Sequence, residues 1–198
     1  MYTQDPAFWR AGAIATCLVA GAVLIILTVN SYEAISPGGS HVPLYDVINK
    51  QIGYEYNSER HMYMPTIGGD EPLFGRTYTE EEAETLIGKG KMVIQSRACM
   101  DCHTFFGNGA YYAPDLTKSW LDPVWDLTWK PMYGGQDKAE AIVRFMMDPH
   151  KYPIGDRFMP NLDISRDEAE AVVAYLKWMS AVDTNGFPTR FGAAGGTQ

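Results

Sequence analysis

The distribution of apolar residues divides the chain into three zones. Ala11 to Val29 carries no charged residue. At about 1.5 Å per residue a helix of that length covers roughly 28 Å, close to the hydrocarbon thickness of a bilayer. Phe8 and Trp9 stand at one edge of the run and Tyr32 at the other, where interfacial aromatics belong. Gly12, Thr16, Gly21 and Thr28 are small enough to let another helix approach closely. A cleaved signal peptide is the alternative, but the run is long for one and no A-x-A site follows it. Residues 1–35 are therefore expected to form an uncleaved, single-pass anchor.

The second zone, 36–78, lacks a sustained period. Ser36-Pro37-Gly38-Gly39, Met64-Pro65, Gly68-Gly69 and Glu71-Pro72 predict irregular chain with short elements. Leu44 to Ile52 suits one short helix. Tyr54, Tyr56, Tyr63 and Phe74 indicate that the segment packs on something.

Helical periodicity returns in the third zone, 79–198. Thr79-Glu80-Glu81-Glu82 is a capping box, and its three acids favour the positive end of a helix dipole. Ala83, Leu86, Ile87, Met92 and Val93 follow at helical spacing. Gly88 and Gly90 lower helix propensity, so this helix is expected to bend or to pack tightly there. A second helix is predicted from Asp137 or Lys138 to Met147, closed by Asp148-Pro149. A third starts at the capping box Ser165-Arg166-Asp167-Glu168, with Ala169, Val172, Val173, Leu176 and Met179 as its apolar stripe. The tail after Asn185 reads as extended. These elements predict an all-α fold: one N-terminal transmembrane helix, then a helical domain.

Composition narrows the function. The formal net charge is -8, and Asp5 and Arg10 cancel within the first thirty residues. The deficit therefore lies beyond the anchor. Such a domain repels phosphate backbones, which argues against nucleic-acid binding. Of the three cysteines, Cys17 lies within the apolar run. There a packing role suits it better than lipid acceptance, because Ile14-Ala15-Thr16 fits a lipoprotein signal poorly.

The other two cysteines fall in Cys99-Met100-Asp101-Cys102-His103. This C-x-x-C-H string is the attachment pattern of a c-type haem: the thiols add to the two vinyl groups and the histidine reaches the iron. Zinc would need two further ligands from His41, His61, His150 or carboxylates, and a thioredoxin-like site would need a strand–helix context. One covalent haem c is the better reading, and with it the helical domain reads as class I cytochrome c-like. His103 should bind iron through Nε2, with Nδ1–H fixed by an acceptor such as the Pro114 carbonyl. Met159, in Arg157-Phe158-Met159-Pro160 before the last capped helix, is the candidate second axial ligand. A methionine sulfur raises the potential relative to two imidazoles. His150 is the rival. Trp120, Trp125 and Trp129 either pack the core or line the haem edge. Haem attachment outside the bacterial cytoplasm places the N-terminus inside and the haem domain in the periplasm, anchored in the inner membrane.

The string from Cys99 to Leu116 goes further. C-x-x-C-H followed by G-x-G-A-Y-x-A-P-x-L resembles the small cytochrome c subunit of bacterial nitric oxide reductase. The loop around Met159, Leu176-Lys177-Trp178, and Asp183-Thr184-Asn185-Gly186-Phe187-Pro188 are similar to that family as well. The resemblance implies an electron-transfer subunit that is not catalytic by itself. Its partner would be a large multi-helix subunit with haem b and a haem–non-haem iron pair, where two NO become N2O and water. Electrons would come from a soluble cytochrome c or a cupredoxin. It further implies a calcium ion at the subunit interface, held partly at Gly109 and Tyr111, where a glycine-rich turn offers oxygen ligands to a hard cation. Two departures stand out: the stretch from about Pro37 to Gly75 is longer than the usual link, and Asn108 replaces a common acidic residue. An O2-reducing oxidase subunit and a free-standing anchored shuttle are the alternative functions.

Overall fold

The structure, a computed structural model, describes residues 4–134, 137–151 and 159–188. It forms two compact units, Met1–Val42 and Pro43–Gln198.

The first unit is a single helix, α1 (Pro6–Ile35), and a short turn. Asp5 starts the helix by accepting from the Ala7 amide at 2.8 Å, and Pro6 sits in the first turn, where its missing N–H costs nothing. The helix outruns the uncharged stretch at both ends. None of its residues is buried. The helix is long and apolar enough to cross a membrane. The chain then folds back, with Ser40 and His41 amides donating to the Glu33 and Ala34 carbonyls.

The second unit is built on α5 (Arg166–Ala181). Its neighbours are α2 (Glu80–Ser96), α4 (Lys138–Met147), a 3-10 turn at Tyr45–Asn49, and a hairpin of β1 (Lys50–Asn57) and β2 (Met62–Asp70). Thr79 and Ser165 both make the reciprocal capping boxes expected of them, and Asp137 caps α4 through the Ala139 amide. The α2–α5 crossing is very close at Gly90, where an added Cβ would stand 2.1 Å from the Ala171 carbonyl oxygen. Tight packing, not bending, is what that glycine serves.

Two expectations need correction. Leu44 to Ile52 is not one helix: a 3-10 turn ends at Asn49 and β1 starts at Lys50. Much of the supposedly irregular zone is an antiparallel hairpin, with Tyr54 opposite Pro65 and Tyr56 opposite Tyr63. Its tyrosines stack on one another, Tyr54 on Tyr63 at 5.7 Å between centroids and Tyr56 edge-on to Tyr63 at 5.4 Å. The hairpin is tied to the chain after α5 by Arg60, which bonds Asp183 at 2.7 Å and also Asn185.

The predicted stripe of α5 is also too narrow. Nearly every residue from Ala169 to Val182 is buried, because neighbours cover the helix on several sides. Lys177 is consequently fully buried, its ammonium held by the Glu71 carboxylate at 2.7 Å and carbonyl at 3.1 Å. Lys118, 1% exposed, donates to the Ser180 carbonyl at 3.1 Å and the Val182 carbonyl at 2.5 Å. It satisfies carbonyls that the end of α5 leaves without helical partners. Burial pushes its pKa from the ordinary 10.5 down to about 8, against the pull of Asp183.

Trp120 and Trp125 belong to this core. Trp125 donates through Nε1 to the Ser119 carbonyl at 2.9 Å. It lies in a π-turn, Trp125–Trp129, that leads into the short α3 (Lys130–Met132). Trp129 is half-buried against Phe145, 4.6 Å between ring centroids. All three tryptophans therefore pack.

Candidate haem-binding site

Helix α2 delivers the attachment string. Its last turn closes with the Arg97 amide on the Val93 carbonyl, and Ala98 turns the chain through a left-handed φ of 53°. Cys99, Met100 and Asp101 then form a 3-10 turn, closed by Cys102 and His103 amides on the Cys99 carbonyl. This turn brings both half-buried thiols and the His103 ring into one short stretch. Neither thiol is in a disulfide. Burial pushes the Cys99 thiol above its ordinary value.

His103 meets its expected partner: Nδ1 lies 2.7 Å from the Pro114 carbonyl oxygen. A carbonyl can only accept, so Nδ1 carries the hydrogen and Nε2 is left with a lone pair. Burial lowers the imidazole pKa, which favours that neutral tautomer. The chain between them is a folded loop. β3 (Thr104–Phe105) pairs with β4 (Asn108–Gly109), and Ala110 and Ala113 amides return to the Met100 and Cys102 carbonyls. Asp115 accepts from the Thr104 hydroxyl at 2.5 Å and from the Thr117 amide at 2.9 Å, while the Thr117 hydroxyl receives the Phe106 amide at 2.8 Å. Gly109, at a φ of 123°, passes the His103 carbonyl so closely that a Cβ would stand 2.2 Å from its oxygen. Thus the G-x-G-A-Y-x-A-P run holds the proline against the histidine.

These donors fit a c-type haem. Two free thiols and a neutral imidazole with Nε2 open are the required set, and the Nδ1 bond fixes the ring. No group of three His, Cys, Asp or Glu side chains able to hold a metal occurs among the described residues. Zinc at Cys99 and Cys102 thus lacks its further ligands there.

Met159 is half-buried and packs against the core cluster, as do Leu162, Cys99 and Met100. Arg157 and Phe158 lie outside the described residues, as does the tail beyond Pro188. His150, the rival, has its Nε2 3.0 Å from the Met159 carbonyl oxygen. The sequence offered no sign of this bond between residues nine apart. Gly109 and Tyr111 share one tight turn, and Tyr111, 82% exposed, donates its hydroxyl to the Gly107 carbonyl at 3.3 Å.

Residues 87–180 match the cytochrome c family. The chain is 31% identical over 118 residues to a nitric oxide reductase subunit of Stutzerimonas stutzeri, covering 60% of this chain and 75% of that protein. It is 29% identical over 119 residues to the corresponding nitric oxide reductase subunit of Paracoccus denitrificans, covering 59% and 75% respectively. It is 24% identical over 106 residues to cytochrome c oxidase subunit 2 of Alkalihalophilus pseudofirmus, covering 52% of this chain but 29% of that protein.

Proposed function

We propose, from a chain that belongs to the family of small cytochrome c subunits of nitric oxide reductase, that it passes electrons into a membrane-bound catalytic subunit reducing NO. The observation that carries this reading is the folded string from Cys99 to Leu116. There the attachment motif, the His103–Pro114 bond and the glycine turn form one unit. A shuttle needs only the first two. The added turn, with Tyr111 and Tyr112 exposed beside it, suits a fixed partner.

Cys99 and Cys102 would hold one haem c through thioethers, His103 through Nε2 and Met159 through its sulfur. Haem held this way supplies a one-electron couple. Pro114 fixes the imidazole plane and tautomer, and the methionine sulfur keeps the couple at a higher potential than a second imidazole would. The partner would carry haem b and the haem–non-haem iron pair that turns two NO into N2O and water. A soluble cytochrome c or cupredoxin would supply the electrons.

Residues 1–35 anchor the chain and 79–198 carry the haem, and the 36–78 segment, from Pro43 on, belongs to the same compact unit as the haem domain. The N-terminus lies in the cytoplasm and the haem domain in the periplasm, where c-type haem is attached. A calcium ion at the interface would draw on Gly109 and Tyr111. Both offer only uncharged oxygens, so the partner and the haem propionates would have to supply the negative charge.

Purification in mild detergent tests this reading. Co-purification with a haem b subunit and turnover of NO support it. A chain that leaves the membrane alone contradicts it. Turnover of O2 but not NO moves it to the oxidase alternative, which the similarity to cytochrome c oxidase subunit 2 keeps in view.

A further inference from the structure

Arg97 immediately precedes the left-handed turn into Cys99. Its guanidinium forks onto Glu168, with Nη2 2.9 Å from each carboxylate oxygen. Its Nη1 donates to the Leu162 carbonyl at 3.1 Å. Leu162 is three residues beyond Met159. Glu168 is also the residue whose carboxylate receives the Ser165 amide at 2.9 Å and so starts α5. One guanidinium thus joins three places: the end of α2 before the thiols, the loop that carries Met159, and the start of α5.

The loop itself is shaped at both ends. His150 donates to the Met159 carbonyl at 3.0 Å. Asn161 accepts from the Asp163 amide at 2.9 Å, and Asp163 takes a left-handed φ of 52°. Ile164 is buried. Between the Met159 and Ile164 anchors, the Leu162 carbonyl is the point at which the opposite side of the attachment turn takes hold. The bonds are charge-assisted and the pair is partly sheltered, with side chains 33% and 23% exposed.

We propose that Arg97 is a positioning residue for the Met159 sulfur: by fixing the Leu162 carbonyl and the start of α5 to the end of α2, it holds the distal loop at the spacing that sulfur ligation requires. The proposal rests on the haem and Met159 reading given above. Arginine is required because its planar fork serves a carboxylate and a carbonyl at once, and a lysine ammonium cannot reproduce that geometry.

The test uses the full-length chain in mild detergent, with ferric haem titrated by imidazole, which competes with the sulfur for iron. The methionine-to-iron charge-transfer band near the red edge of the visible spectrum is read alongside. Arg97→Gln should bind imidazole roughly tenfold more tightly than wild type, the scale of a lost charge-assisted hydrogen bond. Its band should weaken. Glu168→Gln should shift in the same direction, and Arg97→Lys should fall between, so the test survives a poorly folded Arg97→Gln. Arg166→Gln is the control. Arg166 bonds Glu140 at 2.6 Å and Glu170 at 2.8 Å from the same first turn of α5, and among the described residues it makes no bond to the distal loop. It should titrate like wild type.

Unchanged imidazole affinity in Arg97→Gln and Glu168→Gln overturns the proposal. So does an equal shift in Arg166→Gln, which would mean that general loosening of α5 suffices. Failure of the underlying reading is separate: Met159→Leu would then leave the wild-type spectrum and affinity unaltered.

Discussion

Gly88 and Gly90 lie two residues apart in α2, and the same substitution should act on them with opposite sign. Neither has a left-handed φ, so both accept a Cβ as far as the backbone is concerned. At Gly88 the new methyl meets nothing within 4 Å. Replacing a helical glycine by alanine there should stabilise the fold by about 0.5–1 kcal/mol through chain entropy alone. At Gly90 the methyl would stand 2.1 Å from the Ala171 oxygen, 2.6 Å from its carbonyl carbon and 3.0 Å from the Tyr175 Cβ. Backbone atoms cannot swing aside, so the two helices must part by roughly 1 Å, in a core packed too densely to absorb it. Overpacking of this kind costs about 1–3 kcal/mol, and a backbone clash belongs at the upper end. With the propensity gain subtracted, Gly90→Ala should lose about 2 kcal/mol. For a chain of this size that corresponds to a Tm lower by roughly 4–8 °C, against a rise of about 1–4 °C for Gly88→Ala. Thermal unfolding of the detergent-solubilised protein, followed by far-ultraviolet circular dichroism, reads both. If Gly90→Ala melts with or above Gly88→Ala, the α2–α5 contact described above is wrong.

Three further outcomes are expected. Met159→Leu should keep covalent haem while its midpoint potential falls and the charge-transfer band disappears; an unchanged midpoint in a redox titration would show that Met159 only packs. Lys118 has a folded pKa of about 8 against an ordinary 10.5, so between those values the unfolded chain binds the extra proton and stability rises with pH. Wild type should therefore gain about 2 kcal/mol on Lys118→Met between pH 7 and 9.5, measured by urea unfolding at each pH, and a flat difference would refute the buried ammonium. Chelation of calcium from the purified complex should weaken subunit association more in wild type than in Tyr111→Phe if the Tyr111 hydroxyl is a ligand, read by size-exclusion chromatography; equal weakening would remove that hydroxyl from the ion site and leave only the turn's carbonyls.

The helices of the haem domain were legible because their starts are encoded locally. Thr79, Asp137 and Ser165 each cap within three residues, and no tertiary contact is needed to see it. The attachment string and Pro114 were legible for a similar reason, being one continuous run. The hairpin was hidden by its composition. Pro65, Gly68 and Gly69 read as loop, yet Pro65 is accommodated in β2 of a sheet with only two strands. The burial of Lys118 and Lys177 was not legible, because a charged residue is placed on a solvent face until the carbonyls and carboxylate that neutralise it are known. Both lysines find theirs dozens of residues away. The bonds that Arg97 and His150 make to the distal loop have no sequence signal for the same reason: each ends on a backbone carbonyl, and carbonyls carry no sequence signature.

Single-turnover kinetics of the purified complex test the central claim most directly. The complex is fully reduced, mixed rapidly with NO, and the haem c absorbance of this chain is followed beside that of haem b. The account predicts that haem c is oxidised within the turnover, following haem b, and that a Cys102→Ala complex loses this phase together with donor-driven N2O formation. A haem c that stays reduced while N2O forms at the normal rate would contradict it.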